Sequence, residues 1–298
     1  MQDNYYELQI KINPAIEDII SNFCFECLPC EGVLLAEETY KDLEMVSTTE
    51  GTLKVFLTEF PNNIDEIIST EREILKKRGL TDEELGSWEY IIYDKPNEDW
   101  SKKWKEKWGV THVTDKITVV PDWIEYTPQK DEVVIRLEPG CAFGTGTHQT
   151  TQLCMKALEK YMLTGAKFAD IGMGSGILSI CARKLGASYV YGCDNDETVI
   201  DVAKENALKN GVECKFELNT ADKITEKFDF VCANILHHVL AEIMPDLKNI
   251  MKIGAIMSLS GILDEKKNVV LDAIKNSNLN IIEEIHQDQW TSFVVRKV

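Results

Sequence analysis

The sequence predicts an α/β protein of two domains: a small α+β domain, then a larger one built on a mostly parallel sheet with helices on both faces. Three observations carry that expectation. The chain has 298 residues, more than the about 100–200 of a typical single domain. Residues 1–96 read as strand, helix, strand, strand, helix, strand, the βαββαβ order of a ferredoxin-like unit. From Phe168 onward strand and helix patterns alternate, as they do where a parallel sheet is covered on both faces.

In the first domain, Tyr5 to Ile12 alternates polar and apolar residues in the manner of a half-buried strand. Pro14 opens a helix with Ile16, Ile19, Ile20 and Phe23 on one face. Short strands are expected at Val33 to Glu37 and Leu53 to Thr58, a helix at Ile64 to Lys77 ended by Gly79, and a fourth strand at Glu89 to Tyr93. The segment NEDWSKKWKEKWG then sets Trp100, Trp104 and Trp108 on one helical face, as an amphipathic linker helix or as a ligand platform. Two more strands are expected at Ile117 to Val120 and Glu132 to Leu137.

The larger domain should carry strands at Phe168 to Ile171, Tyr189 to Cys193, near Cys214 to Leu218, at Phe228 to Asn234 and at Ala255 to Ser260, with helices between them. Ile281 to Ile285 and Phe293 to Val295 read as a closing hairpin with one antiparallel edge strand.

Composition narrows the partners. A hydrophobic fraction of 44% and a charged fraction of 28% are those of a globular protein. With 32 Lys and Arg against 50 Asp and Glu, the net charge is −18. Such a surface repels nucleic acid and attracts basic partners within a Debye length of about 10 Å. No apolar run approaches the about 18 residues of a membrane span, and MQDNYYELQIKINP lacks the features of a secretory signal. A cytoplasmic monomer with no direct nucleic-acid or membrane contact is expected.

Nine cysteines without an export signal favour reduced thiols. Cys24, Cys27 and Cys30 form C-x-x-C-x-x-C, but an iron–sulfur run would need Cys where Leu34 stands, and no second Cys/His pair completes a zinc site. They are expected to be packing residues at a helix end, and no metal is expected.

The chemistry is concentrated in four strings. In FADIGMGSGILS, a strand ends at Asp170 and Gly172, Gly174 and Gly176 lead into a helix. Glycines there permit a tight turn and close approach to a ligand. A dinucleotide fingerprint would need its last glycine where Ile177 stands. Asp194 ends the next strand, placed to accept ribose hydroxyls or to cap the helix that follows. Asn234, in ANIL, stands at the tip of the fourth strand, placed for cofactor and substrate. Lastly, EPGCAFGTGTHQTT (Glu138 to Thr151) suggests a loop able to close over a ligand, with Thr150 or Thr151 alternatively capping the next helix.

The spacing D-x-G-x-G-x-G resembles motif I of the class I methyltransferases. Together, PG-x-AFGTGTH-x-TT, D-x-G-x-GSGILSI, the strand-tip Asp, ANIL and LSGIL resemble the PrmA family, along the whole chain. Members of that family methylate the large-subunit ribosomal protein L-eleven. The resemblance implies a Rossmann-like class I methyltransferase domain at 116–298, a linker helix at 97–115 and a ferredoxin-like substrate-recognition domain at 1–96. It implies transfer of methyl groups from S-adenosylmethionine to lysine side chains, an α-amine or both, with trimethylated products and a basic ribosomal protein as partner. Thr151, Gly172, Asp194 and Asn234 should contact the cofactor, and Asp170, Gly174 and Gly176 should shape its turn. No general base stands out; Asn234 is a candidate for orienting the amine. Departures from the family's pattern include Glu138, Cys141 and Met173, and the pair His237 and His238 after ANIL, at the substrate mouth.

Other readings fit less well. A methyltransferase for planar amides or bases would carry Pro-Pro-Tyr where Ile235, Leu236 and His237 stand. A nicotinamide enzyme lacks its third glycine, and a noncatalytic ribosome-binding module would not need the intact glycines, Asp194 and Asn234.

Overall fold

A computed structural model describes residues 5–36, 40–41, 44–45, 49–95, 109–137 and 146–298. The chain divides into two compact units, Met1–Trp108 and Gly109–Val298.

In the first unit, β1 (Tyr5–Ile12) leads through a 3-10 turn into α1 (Glu17–Cys27) and β2 (Cys30–Leu35). A small hairpin, β3 (Tyr40–Lys41) and β4 (Glu44–Met45), precedes β5 (Gly51–Leu57). Then follow α2 (Ile64–Lys77), the short α3 (Asp82–Leu85) and β6 (Tyr90–Lys95). The sheet order is β2-β5-β1-β6 with every neighbour antiparallel, the split βαβ arrangement of a ferredoxin-like unit. Leu8, Ile10 and Ile12 point inward from β1 and are fully buried, as the alternation in the sequence predicts. Of the three clustered cysteines only Cys24 is buried, and burial pushes its thiol pKa up. Cys27 is exposed, and Cys30 opens β2 rather than ending the helix.

The Trp100–Trp104–Trp108 stripe lies outside the described residues, as does most of the linker helix expected at 97–115. The described remainder of that segment is not helical: Thr111–His112 forms β7, which pairs with β8 (Ile117–Pro121), itself parallel to β9 (Val133–Leu137). Val113 packs in the core of the second unit, so that unit begins before residue 116.

The remaining elements are α4 (Gln149–Tyr161), β10 (Lys167–Ile171), α5 (Ile177–Lys184), β11 (Tyr189–Asp194), α6 (Thr198–Lys209), β12 (Lys215–Leu218) and β13 (Phe228–Asn234). They continue with α7 (His237–Ile250), β14 (Met251–Leu263), α8 (Lys267–Asn276), β15 (Leu279–Gln287) and β16 (Trp290–Lys297). The seven-stranded sheet runs β12-β11-β10-β13-β14-β16-β15. Its first five strands are parallel and β16 is antiparallel to both neighbours. The antiparallel strand is therefore internal, not at the edge. Closing the hairpin backwards inserts β16 against β14, which leaves β15 outermost and parallel to the rest.

Two cores cover the sheet, and period-two alternation assigns strand residues to them. Phe168, Phe230 and Cys232 face α4, α5 and α6, while Ala169, Ile171, Val231 and Ala233 face α7 and α8.

Near its end β14 carries a bulge between Leu259 and Ile262, with Gly261 at φ +84°. A Cβ on Gly261 would fall 2.3 Å from the Ile235 carbonyl oxygen, so only glycine lets β14 pass the end of β13. Gly261→Ala should cost about 2–3 kcal/mol of stability, since the obstacle is backbone and the dihedral is left-handed. Urea unfolding checks this; a loss below about 0.5 kcal/mol, the range of an ordinary surface change, would contradict the close approach.

Candidate active site

The predicted residues gather at the carboxyl ends of the parallel strands, where ligands bind in open α/β sheets. Asp170 lies one residue before the end of β10. It is buried on the face covered by α5, and its Oδ2 accepts hydrogen bonds from the Ser179 backbone N–H (3.0 Å) and hydroxyl (2.8 Å). Ser179 lies in the first turn of α5, whose amides have no partner within the helix, so the carboxylate meets the positive end of the helix dipole. Burial nevertheless raises the Asp170 pKa from 3.8 to about 7, with the Ser179 hydrogen bonds opposing the rise. Its Oδ1 is buried without a hydrogen-bond partner among the described residues.

Between Asp170 and α5 the backbone turns on glycines with positive φ: Gly172 (+72°), Gly174 (+48°) and Gly176 (+76°). A Cβ at Gly172 would strike the Ile235 side chain at 2.3 Å. The neighbouring strand holds this turn: the Cys193 carbonyl accepts the Gly172 and Met173 amides at 2.9 and 3.1 Å. Asp194 Oδ2 accepts the Gly174 amide at 3.0 Å, and its Oδ1 accepts that of Asp196 at 3.2 Å. Burial raises the Asp194 pKa, against the pull of these backbone donors. Asp194 is not the side-chain cap of α6; Asp196 accepts the Thr198 amide at 2.9 Å. From α6, Asn206 Nδ2 donates to the Ser175 carbonyl at 3.0 Å.

The other side of the site is the first turn of α4. Neither Thr150 nor Thr151 is its N-cap. His148 is, its Nδ1 accepting the Thr150 amide and lying 2.7 Å from the Thr150 hydroxyl. Both threonines are buried, and Ser260 on β14 donates to the Thr150 carbonyl at 3.0 Å. Asn234, at the end of β13, donates through Nδ2 to Thr151 Oγ1 at 3.4 Å, while its buried Oδ1 has no partner among the described residues. Residues 138–145 of the predicted closing loop lie outside the described residues. His237 and His238 open α7, their rings edge to face at 5.4 Å.

All seven predicted residues thus stand at one end of the sheet. Sequence reasoning missed His148, Ser179, Asn206 and Ser260, which hold the named residues in place. His148, Ser179 and Ser260 lie inside the strings that carry the family resemblance, but nothing local there marks them as supports, and Asn206 lies outside those strings.

A mostly parallel sheet with this strand order and an inserted antiparallel strand, a glycine turn after its first strand and an acidic tip on its second define a class I methyltransferase. This chain belongs to the family described as ribosomal protein L11 methyltransferase (PrmA), whose model matches residues 4–298. It is similar to the ribosomal protein L11 methyltransferase of Caldicellulosiruptor saccharolyticus, 34% identical over 98% of this chain and 99% of that one. The Listeria monocytogenes (strain 10403S) protein of the same name is 37% identical over 80% of this chain and 76% of its own. A crystal structure of ribosomal protein L11 methylase from Lactobacillus delbrueckii subsp. bulgaricus matches with a TM-score of 0.61 at 33% identity, covering 64% of this chain and all of that one.

The raised Asp170 pKa has a consequence for stability. Between pH 3.8 and about 7 the folded protein holds a proton that the unfolded chain releases. The contribution of this group to stability therefore falls as pH rises through that window. Asp170→Asn keeps an acceptor for Ser179 and removes the titration, so its stability should fall less than wild type between pH 5 and 7. Urea midpoints across that range test this; parallel curves would refute it.

Proposed function

We propose that this protein transfers methyl groups from S-adenosylmethionine to amino groups of ribosomal protein L11, on lysine side chains, the α-amine or both. The observation that carries this reading is a pair of buried acceptors without partners among the described residues, Asp170 Oδ1 and Asn234 Oδ1, on adjacent central strands beside a turn where Gly172 admits no side chain. A buried acceptor left unpaired costs about 1–3 kcal/mol, so these atoms suit a ligand rich in donors. The cofactor, with its ammonium group and ribose hydroxyls, fits that set. When bound it supplies an electrophilic sulfonium methyl, which passes to an amine nitrogen as the carbon–sulfur bond breaks and sulfur keeps the electron pair.

Asp194 would hold the ribose hydroxyls. Its oxygens accept backbone amides of Gly174, Asp196 and Asn195, and a carboxylate offers about four acceptor sites, so capacity remains for a ligand hydroxyl. Gly172, Gly174 and Gly176 bring backbone rather than side chains up to the cofactor. Thr151 and Asn234 close the other side. The protein's contribution to rate is to align the amine with the methyl group at about 3–3.5 Å and to exclude water. A lysine amine, with an ordinary pKa of about 10.4, must first lose its proton. Asn234 Oδ1 can accept an N–H and so orient the nitrogen lone pair, but an amide cannot keep the proton, which leaves to water. The first unit recognises the protein substrate and the second binds cofactor. The same reading makes the enzyme a monomer acting in the cytoplasm, where ribosomal proteins are assembled. Incubation with labelled cofactor and purified ribosomal proteins, read by mass spectrometry, tests the reading: added methyl mass on L11 supports it, and an unmodified L11 beside another methylated protein refutes it.

Asp194→Ala should weaken cofactor binding by about 2–3 kcal/mol, the cost of losing a charged acceptor, and should also lower stability, because the Gly174 and Asp196 amides lose their partner. Calorimetry with S-adenosylhomocysteine showing unchanged affinity would end the ribose assignment. A fragment beginning at Gly109 should keep cofactor affinity and lose most activity on L11. Full activity on L11 from that fragment would place substrate recognition in the catalytic unit.

A further inference from the structure

The helix that presents Thr151 is gripped along one edge by the C-terminal hairpin. His148, Gln152, Lys156 and Lys160 recur at intervals of four and form one stripe of α4. The hairpin meets each of them. The His148 ring lies edge to face with Trp290, centroids 5.0 Å apart and planes at 72°. Gln287 donates from Nε2 to Gln152 Oε1 at 3.1 Å and accepts from Lys156 Nζ at 2.7 Å. Glu283 accepts from Lys160 Nζ and from Tyr161 Oη, both at 2.7 Å. Glu284 and His286, on the alternate face of β15, turn away to Lys267 and Asp264.

Thr151 is fully buried, but its hydrogen bonding to the sheet is slight. Its hydroxyl meets Asn234 at 3.4 Å, near the limit of a hydrogen bond, and the Ser260 contact falls on the preceding residue. The buried face of α4, with Leu153, Cys154, Met155 and Leu158, seats the helix on the sheet, and the hairpin adds the polar contacts that fix its first turn laterally, through the capping His148. We infer that Trp290 and Gln287 are positioning residues for the cofactor site, acting through His148 and the first turn of α4 on Thr151. The inference rests on the reading that Thr151 contacts S-adenosylmethionine. A displacement of about 1 Å at a binding group can cost up to about a hundredfold in rate, so a hairpin that never touches the cofactor can still govern its capture.

The test uses the full chain and steady-state kinetics on both substrates. Gln287→Leu and Trp290→Ala should each raise KM for S-adenosylmethionine by about tenfold, with KM for L11 unchanged. Trp290→Phe keeps a ring against His148 and should return to within about threefold of wild type. Glu284→Gln, on the opposite face of the same strand, should leave KM for both substrates unchanged. If Trp290→Ala does not fold, Gln287→Leu decides. Wild-type KM for the cofactor in folded Gln287→Leu, an equal loss toward both substrates, or Trp290→Phe no better than Trp290→Ala would each overturn the inference. Thr151→Ala separates the two levels. If it weakens cofactor binding while the hairpin variants do not, the positioning role alone falls; if it leaves binding intact, the assignment of Thr151 falls and the positioning role with it.

Discussion

The capture of the glycine turn by the tip of β11 is the constraint on which the rest of the site depends. Three consecutive amides, Gly172, Met173 and Gly174, are taken by the Cys193 carbonyl and the Asp194 carboxylate. The turn is thereby fixed to a neighbouring strand and not only to the one it leaves. Its left-handed dihedrals would otherwise leave it one conformer among many, since glycine loses more backbone freedom on ordering than any other residue. Parallel pairing supplies the register: Ile171 stands opposite Cys193, so the chain leaves β10 beside the acceptors it needs.

Two close approaches follow from that placement. Gly172 lies against the Ile235 side chain, and Gly261 passes the Ile235 backbone. Ile235 is thus enclosed between the first and fifth strands of the parallel sheet, which keeps the end of β13 and its Asn234 from drifting. Rigidity here has an electrostatic cost. Asp170 is buried with one oxygen satisfied by Ser179 and the other by nothing in the described protein. Its raised pKa expresses that cost, and a preorganised site tolerates it because a ligand's donors can offset it.

The two sides of the site are built differently. On the Asp170–Asp194 side, strand register and backbone donors do most of the holding, with Ser179 and Asn206 adding support from the covering helices. On the Thr151 side, a helix crosses β14, β16 and β15 on a buried apolar face, and its edge is fixed by side chains far apart in sequence, Gln152 with Gln287 and His148 with Trp290. Glycine spacing and strand register make the first arrangement largely readable from the sequence, whereas the second depends on long-range side-chain packing.

That difference explains what could be read without coordinates. Alternation in Tyr5–Ile12, the helical period of Ile64–Lys77 and the glycine spacing after Asp170 report the immediate neighbours of each residue, so the elements and the turn were legible. The roles of Asp170, Asp194 and Asn234 as strand-tip groups were legible for the same reason, each being the last polar residue of an apolar run. What lay beyond the sequence depends on pairing. Hydrophobic pattern does not distinguish an outer antiparallel strand from one inserted between two others, so the place of β16 was decided by the tertiary structure. The cap of α4 went to His148 rather than a threonine because both threonines are buried, one bonded to Ser260 through its carbonyl and the other to Asn234 through its hydroxyl. Sequence alone determined which residues could meet a ligand; only the packed sheet decided which of them are held, from which side, and which buried oxygens are left for it, because most of those contacts join residues some 20 to 140 positions apart and no local pattern encodes them.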